Sequence, residues 1–209
     1  MNKYLVLSLV VLLFTACKNE VKEGSSDSDK TDTITDASPM NTEVRRVIPV
    51  KKELSELEKN QVNSLMTKIM LNTELRTFSS ITVSAQMTDM LASEEGPFTV
   101  FVPESLAFNQ VPQETINELV NPSNKEGLVN FLNGYIVDGL YDAESITAQL
   151  AEKGSLSLES RAGTTLTLNQ TTSGIQIEDS DGNKARVVQA DIVGFNGVVH
   201  SLDAVLGLN

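Results

Sequence analysis

The sequence predicts an α+β fold, and a change of hydrophobic period along the chain carries that prediction. Apolar residues recur at helical spacing through most of the first half, whereas from Ser155 onward they alternate with polar residues at a period of two. Helices gathered ahead of strands, rather than alternating with them, point to α+β and away from a parallel α/β sheet. Turn-forming clusters at Arg161-Ala162-Gly163, Thr172-Ser173-Gly174 and Asp181-Gly182-Asn183 cut the second half into short strands.

Residues 1–16 read as a targeting leader rather than as part of the fold. Lys3 supplies a positive start, Tyr4–Phe14 is an apolar run of eleven residues, and Thr15-Ala16 offers the small side chains of a cleavage site. A membrane-spanning helix needs about 20 apolar residues, so this run is too short to span. Cys17 follows directly and is the only cysteine of the chain, so no structural disulfide is expected. The Phe14-Thr15-Ala16-Cys17 segment resembles a bacterial lipobox, with Phe14 where that motif usually carries Leu. The resemblance implies diacylation of Cys17 and a membrane anchor. Lys18, rather than Asp, after the cysteine implies sorting to the outer membrane, on either its periplasmic or its surface face.

Residues 17–50 read as a polar tether. Gly24-Ser25-Ser26-Asp27-Ser28-Asp29-Lys30 and Thr31-Asp32-Thr33 have almost nothing to bury, so the segment is expected to stay disordered. Roughly thirty flexible residues would hold a domain on the order of 30 Å from the membrane. Residues 51–209 are one domain by size. The formal net charge is −12. That balance disfavours binding to nucleic acid, which rests on neutralising phosphates with Lys and Arg.

Within the domain, Leu54, Leu57, Val62, Leu65, Ile69 and Met70 predict an amphipathic helix over Lys52–Asn72. A second helix is expected over Thr73–Ser84 on Leu75, Phe78 and Ile81, and a short third over Gln86–Ala92. Gly96-Pro97 breaks the pattern, and Phe98–Val102 is a β-rich run too short for a helix. Pro112 suits the first turn of a helix carrying Ile116, Leu119 and Val120, which stops before Asn121-Pro122. Ser123 and Glu126 form a capping-box pattern ahead of Leu128, Val129, Phe131 and Leu132, closed by Gly134. Tyr135-Ile136-Val137 reads as a strand, and Asp142 and Gly154 bound a further helix. The strand pairs Leu156/Leu158, Leu166/Leu168 and Ile175/Ile177 follow, and two more strands are expected over Arg186–Ile192 and Asn196–Leu202.

Two segments carry a family resemblance. Phe98-Thr99-Val100-Phe101-Val102-Pro103 with Ala107-Phe108, and Asn196-Gly197-Val198-Val199-His200-Ser201-Leu202-Asp203-Ala204-Val205-Leu206, resemble the two signature segments of a fasciclin domain. The resemblance spans roughly Asn60–Leu208 in a single copy. It implies a fasciclin-like twisted β-wedge or sandwich with helices packed along one side, serving adhesion or binding. In some animal fasciclin domains an Asp-Ile pair and a Tyr-His segment are implicated in integrin binding. The matching positions here are Asp191-Ile192 and Tyr135, with Ile136 in place of the histidine.

The chemistry-bearing residues point away from catalysis and from a cofactor. His200 is the only histidine, and its neighbour Ser201 falls on the opposite face of a strand, so no relay with Ser201 and Asp203 forms locally. His200 is read as a brace bonded to backbone. No Gly-x-Ser-x-Gly elbow or clustered His/Cys set is present in the sequence. Asp179-Ser180-Asp181-Gly182-Asn183 has the flavour of a calcium loop, but with Gly182 at position six, Ile177 and Val188 would occupy the first and last ligand positions. It is read as a hairpin turn. Asn169-Gln170-Thr171 matches a glycosylation acceptor and is read as plain strand or turn. With no Trp in the chain, Tyr141 and Phe195 are the aromatics expected to be exposed. The functional expectation is a non-catalytic lipoprotein that binds a protein or glycan, acting in adhesion. The alternatives are an envelope-structural role and the capture of polysaccharide.

Overall fold

The computed structural model describes residues 53–208. The leader, Cys17 and the tether expected over 17–50 lie outside the described residues.

The first helix is two helices. α1 (Glu56–Val62) and α2 (Leu65–Leu71) stand where a continuous helix over Lys52–Asn72 was expected. The break has a chemical cause. Ser64 caps α2 by accepting the Thr67 N–H, the Asn63 carbonyl accepts the Phe195 N–H, and the Leu65 N–H donates to the Asn196 side chain. α2 buries Leu65, Met66 and Ile69, whereas α1 buries nothing, and Leu57 is 76% exposed. The apolar stripe read across both helices therefore does not exist as one face.

α3 (Arg76–Ser84) buries Phe78 and Ile81, and α4 (Thr88–Ser93) buries Leu91. β1 (Phe98–Pro103) is buried at every position. A one-turn helix absent from the sequence reading, α5 (Ser105–Phe108), follows it. α6 (Gln113–Leu119) starts just after Pro112, which sits at its cap rather than in its first turn. The capping box expected from Ser123 and Glu126 does not form. Asn121 accepts the Ser123 N–H instead and folds Pro122–Asn124 into a 3-10 turn, so α7 (Lys125–Asn133) begins beyond it. β2 (Ile136–Asp138) precedes α8 (Ala143–Lys153), which Asp142 caps by accepting the Ser145 N–H and Gly154 ends at φ +78°.

The second half supplies β3 (Ser155–Glu159), β4 (Thr165–Thr171), β5 (Gly174–Glu178), β6 (Lys184–Arg186), β7 (Ile192–Gly194) and β8 (Gly197–Leu202). The strand expected over Arg186–Ile192 is not continuous. β6 ends at Arg186, Val187 bridges to Leu202, and Asp191 turns the chain at φ +59° before β7. That stretch carries the chain from one sheet to the other.

The strands form two four-stranded sheets, β2-β1-β8-β7 and the antiparallel β3-β4-β5-β6. β1 and β8 pair in parallel, Phe98 against Gly197 through Pro103 against Leu202, so the two signature segments are neighbouring central strands. Both are buried along their whole length, which is why neither alternates in sequence. In the second sheet Leu156, Leu158, Leu166, Leu168 and Ile177 point inward. α2 packs on β7 and β8, and α8 on β3 and β4. The architecture is α+β, a two-sheet sandwich with packed helices.

Candidate functional site

Asn196, in the turn between β7 and β8, and Gly197, the first residue of β8, set where the central strands meet. The Asn196 carbonyl accepts the Phe98 N–H at 2.9 Å, and Gly197 lies at φ +148° against the Phe98 backbone. The Asn196 side chain is 1% exposed. Its Oδ1 accepts the Leu65 N–H at 2.9 Å, and its Nδ2 donates to the Leu91 and Glu94 carbonyls at 3.1 Å each. One amide thus ties the start of α2 to the end of α4. In the sequence Asn196 stands out as the first residue of the second signature segment and the start of an expected strand, but nothing local points to its tie with α2 and α4.

His200, four residues on, is 1% exposed and stacks on Phe101 with ring centroids 5.5 Å apart. Its Nε2–H donates to the Tyr141 carbonyl at 2.8 Å, and Nδ1 accepts the Asp191 N–H at 3.4 Å. Both ring nitrogens are occupied in the neutral form, because a protonated Nδ1 would face an N–H with another N–H. Burial holds its pKa below the usual histidine value, although the Tyr141 carbonyl and the carboxylates of Asp191 and Asp142 pull the other way.

That shift makes a testable statement about acid stability. Below about pH 6.5 the unfolded chain takes up a proton that folded His200 refuses. Its contribution is therefore complete above the unfolded value and is lost as pH falls toward the depressed folded one. Urea unfolding of the protein should show lower stability at pH 5.5 than at pH 7.5, and His200→Gln should flatten that difference. The same slope in both proteins would refute this placement of the proton.

Ser201 and Asp203 serve other partners. The Ser201 hydroxyl donates to Glu104 at 2.8 Å and accepts the Gln189 N–H, and Asp203 accepts from the backbone and guanidinium of Arg186 at 2.7 Å. No relay joins them to His200. Among the described residues no group of three His, Cys, Asp or Glu side chains is placed to hold a metal ion. Asp179–Asn183 forms the hairpin turn expected there, with the Asp179 carboxylate accepting the Asp181 and Asn183 N–H groups.

The three candidate binding residues lie in different settings. Asp191 is exposed, and its Oδ1 accepts the Ala143 N–H at 2.9 Å, capping α8 alongside Asp142. Ile192 is half-buried and pairs with Val199. Next to it Val193 is 65% exposed on β7, an edge strand of its sheet. Tyr135 is 2% exposed, packs edge-on against Phe78 and Phe131, and spends its hydroxyl on the Leu206 backbone. The structure brings Asp191 and Ile192 to one edge and keeps Tyr135 in the core. Tyr141 and Phe195, expected to be exposed, are half-buried. Tyr141 folds onto Gly139, and the Phe195 N–H is tied to Asn63.

Comparison with known proteins agrees with this architecture. A model of the fasciclin domain matches residues 73–208. The chain is 34% identical over 146 residues to Protein sll1483 of Synechocystis sp., covering 69% of this chain and 74% of that protein. It is 31% identical over 124 residues to Transforming growth factor-beta-induced protein ig-h3 of Sus scrofa, covering 59% of this chain but only 16% of that much longer protein. Among solved structures, a FAS1 domain pair from the insect cell adhesion molecule fasciclin I superimposes with a TM-score of 0.54. The identity is 18%, over 69% of this chain and 50% of that one, and the likeness speaks to fold. Domains of this kind occur in extracellular or secreted proteins and generally serve adhesion rather than catalysis. Among the described residues no helix is long and apolar enough to cross a membrane. By its two central signature strands, its topology and the family match, the chain belongs to the fasciclin domain family.

Proposed function

We propose that this is an exported lipoprotein of a bacterial envelope, anchored through acylated Cys17 and sorted to the outer membrane, whose fasciclin domain binds a protein in adhesion without catalysis. The observation that carries the adhesive part is the exposed segment between the sheets. Val188 and Val193 are 57% and 65% exposed on either side of Asp191, whose own carboxylate is fixed on α8. Apolar side chains held in place on a rigid frame suit a contact surface, because little ordering entropy is lost on binding. The fasciclin I likeness supports the same reading. His200, Ser201 and Asp203 each bond other partners, which supports a binding rather than a catalytic role.

Two measurements test the reading. Metabolic labelling with a fatty-acid analogue should mark the full chain and miss Cys17→Ser; equal labelling removes the anchor. Cells carrying Val188→Asp with Val193→Asp should adhere to protein-coated surfaces at least several-fold less than wild type, with unchanged surface protein by protease accessibility. Unaltered adhesion would remove the proposed surface.

A further inference from the structure

A cavity of about 220 Å³ opens beside the C-terminal tail, and none of its lining residues belongs to the Val188–Val193 segment. Its buried lining comes from Phe131, Tyr135, Leu166 and Leu206, and its exposed lining includes Asn130 and Asp181. Four segments far apart in sequence converge there, and none of them contributes a basic side chain.

The walls are fixed by hydrogen bonds rather than left to collapse. Tyr135 clamps Leu206 from both sides, accepting its N–H at 2.7 Å and donating to its carbonyl at 2.8 Å. Asp179 accepts four N–H groups: Asp181, Asn183, the Asn183 side chain and Gly207, the last at 2.8 Å. Partial burial pushes the Asp179 carboxyl up, but the bonds from Asn183, Gly207 and Asp181 outweigh it and hold the group ionised. A preformed, largely apolar hollow with few polar groups is the usual form of a small-ligand site.

The lining also selects the ligand. Two carboxylates and no basic side chain in the lining disfavour an anion. Asp179 has spent both oxygens on the fold, so Asp181 alone cannot supply the six to eight oxygens of a calcium site. The Asp181 carboxylate itself accepts no hydrogen bond from the described residues, and the Asn130 side chain makes none either. An occupant that donates hydrogen bonds and carries positive charge would satisfy both. The volume lies below the roughly 300–1,000 Å³ of drug-sized pockets, so it suits a group the size of one side chain.

We propose that the cavity binds an alkylammonium group, its aliphatic stem against Phe131, Leu166 and Leu206 and its ammonium at Asp181 and Asn130. The group is carried either by a free amine or by a lysine side chain of another protein. This site shares no residue with the proposed adhesive surface, and the failure of either leaves the other standing.

The test is a titration of the full chain with n-pentylammonium, n-pentanol and Nα-acetyl-lysine methylamide, followed by backbone amide NMR. Pentylammonium should shift the signals of Gly134, Ala162, Leu206 and Gly207 saturably, with at least tenfold tighter binding than the isosteric alcohol. Asp181→Asn should weaken it about tenfold while leaving the unfolding midpoint in place, since that side chain bonds nothing in the fold. Matching affinity for the lysine amide would assign the site to a protein side chain, and weaker affinity to a free amine. Equal binding of the alcohol, an unaffected Asp181→Asn variant, or shifts confined to other residues would overturn the proposal.

Discussion

Asn196→Ala is expected to lower the unfolding free energy by about 3–5 kcal/mol, measured by urea denaturation at neutral pH. The wild-type amide satisfies three backbone groups at once: the Leu65 N–H and the Leu91 and Glu94 carbonyls. These are groups at the first turn of α2 and the end of α4, where a helix has no internal partner for them. Alanine removes one acceptor and two donors from a site 1% exposed to solvent. Each orphaned buried group costs about 1–3 kcal/mol. Against a total stability of about 5–15 kcal/mol, such a loss leaves a marginal fold. Asn196→Asp keeps the acceptor but turns a carboxylate toward two carbonyls, and it should be at least as damaging. Val193→Thr, on an exposed position, should stay within about 0.5 kcal/mol of wild type. A loss below about 1 kcal/mol in Asn196→Ala would mean that water replaces the amide and that the α2–α4 tie is not a keystone.

The same residue explains where the sequence could be read and where it could not. The fold class was legible because Leu156, Leu158, Leu166 and Leu168 alternate on a half-solvated sheet, and alternation survives in sequence. The ends of α8 were legible because Asp142 and Gly154 act on their own neighbours. The break at Asn63-Ser64 was not, because Val62, Leu65 and Ile69 keep helical spacing across it. Its partner Asn196 lies 131 residues beyond Leu65. The turn at Asp191 was hidden for a related reason. Val187 and Val188 favour a strand, and only the bonds to Ala143 and His200 reveal why the chain leaves it. For the site, the separation of His200 from Ser201 followed from strand alternation, while the bracing partners of His200, those of Asp179 and the cavity beside it depend on contacts that no local pattern records.

Gly197→Ala should have the larger effect still and abolish the folded state under ordinary expression conditions. At φ +148° an L side chain is already strained, by about 1–3 kcal/mol. The steric problem is worse. A Cβ at this position would lie 1.9 Å from the Phe98 carbonyl oxygen and 2.7 Å from the Phe98 nitrogen. Both are backbone atoms of the neighbouring central strand, so no rotamer change relieves the contact. β1 would have to move away from β8 at the first pair of a register that runs to Pro103 and Leu202. Val100, Phe101 and Val102 would move with it, and all three are fully buried in a close-packed core. A combined loss above about 5 kcal/mol is expected, within reach of the whole stability of the domain. Gly182→Ala separates the two causes. It also sits at positive φ, +85°, but has no atom within 4 Å of an added Cβ, so it carries the backbone strain without the clash. Circular dichroism melts should show Gly182→Ala folded with a modestly lowered midpoint and Gly197→Ala without a cooperative transition. If the two variants melted within a few degrees of each other, the close approach of β1 to β8 would not be the constraint that places glycine beside Asn196.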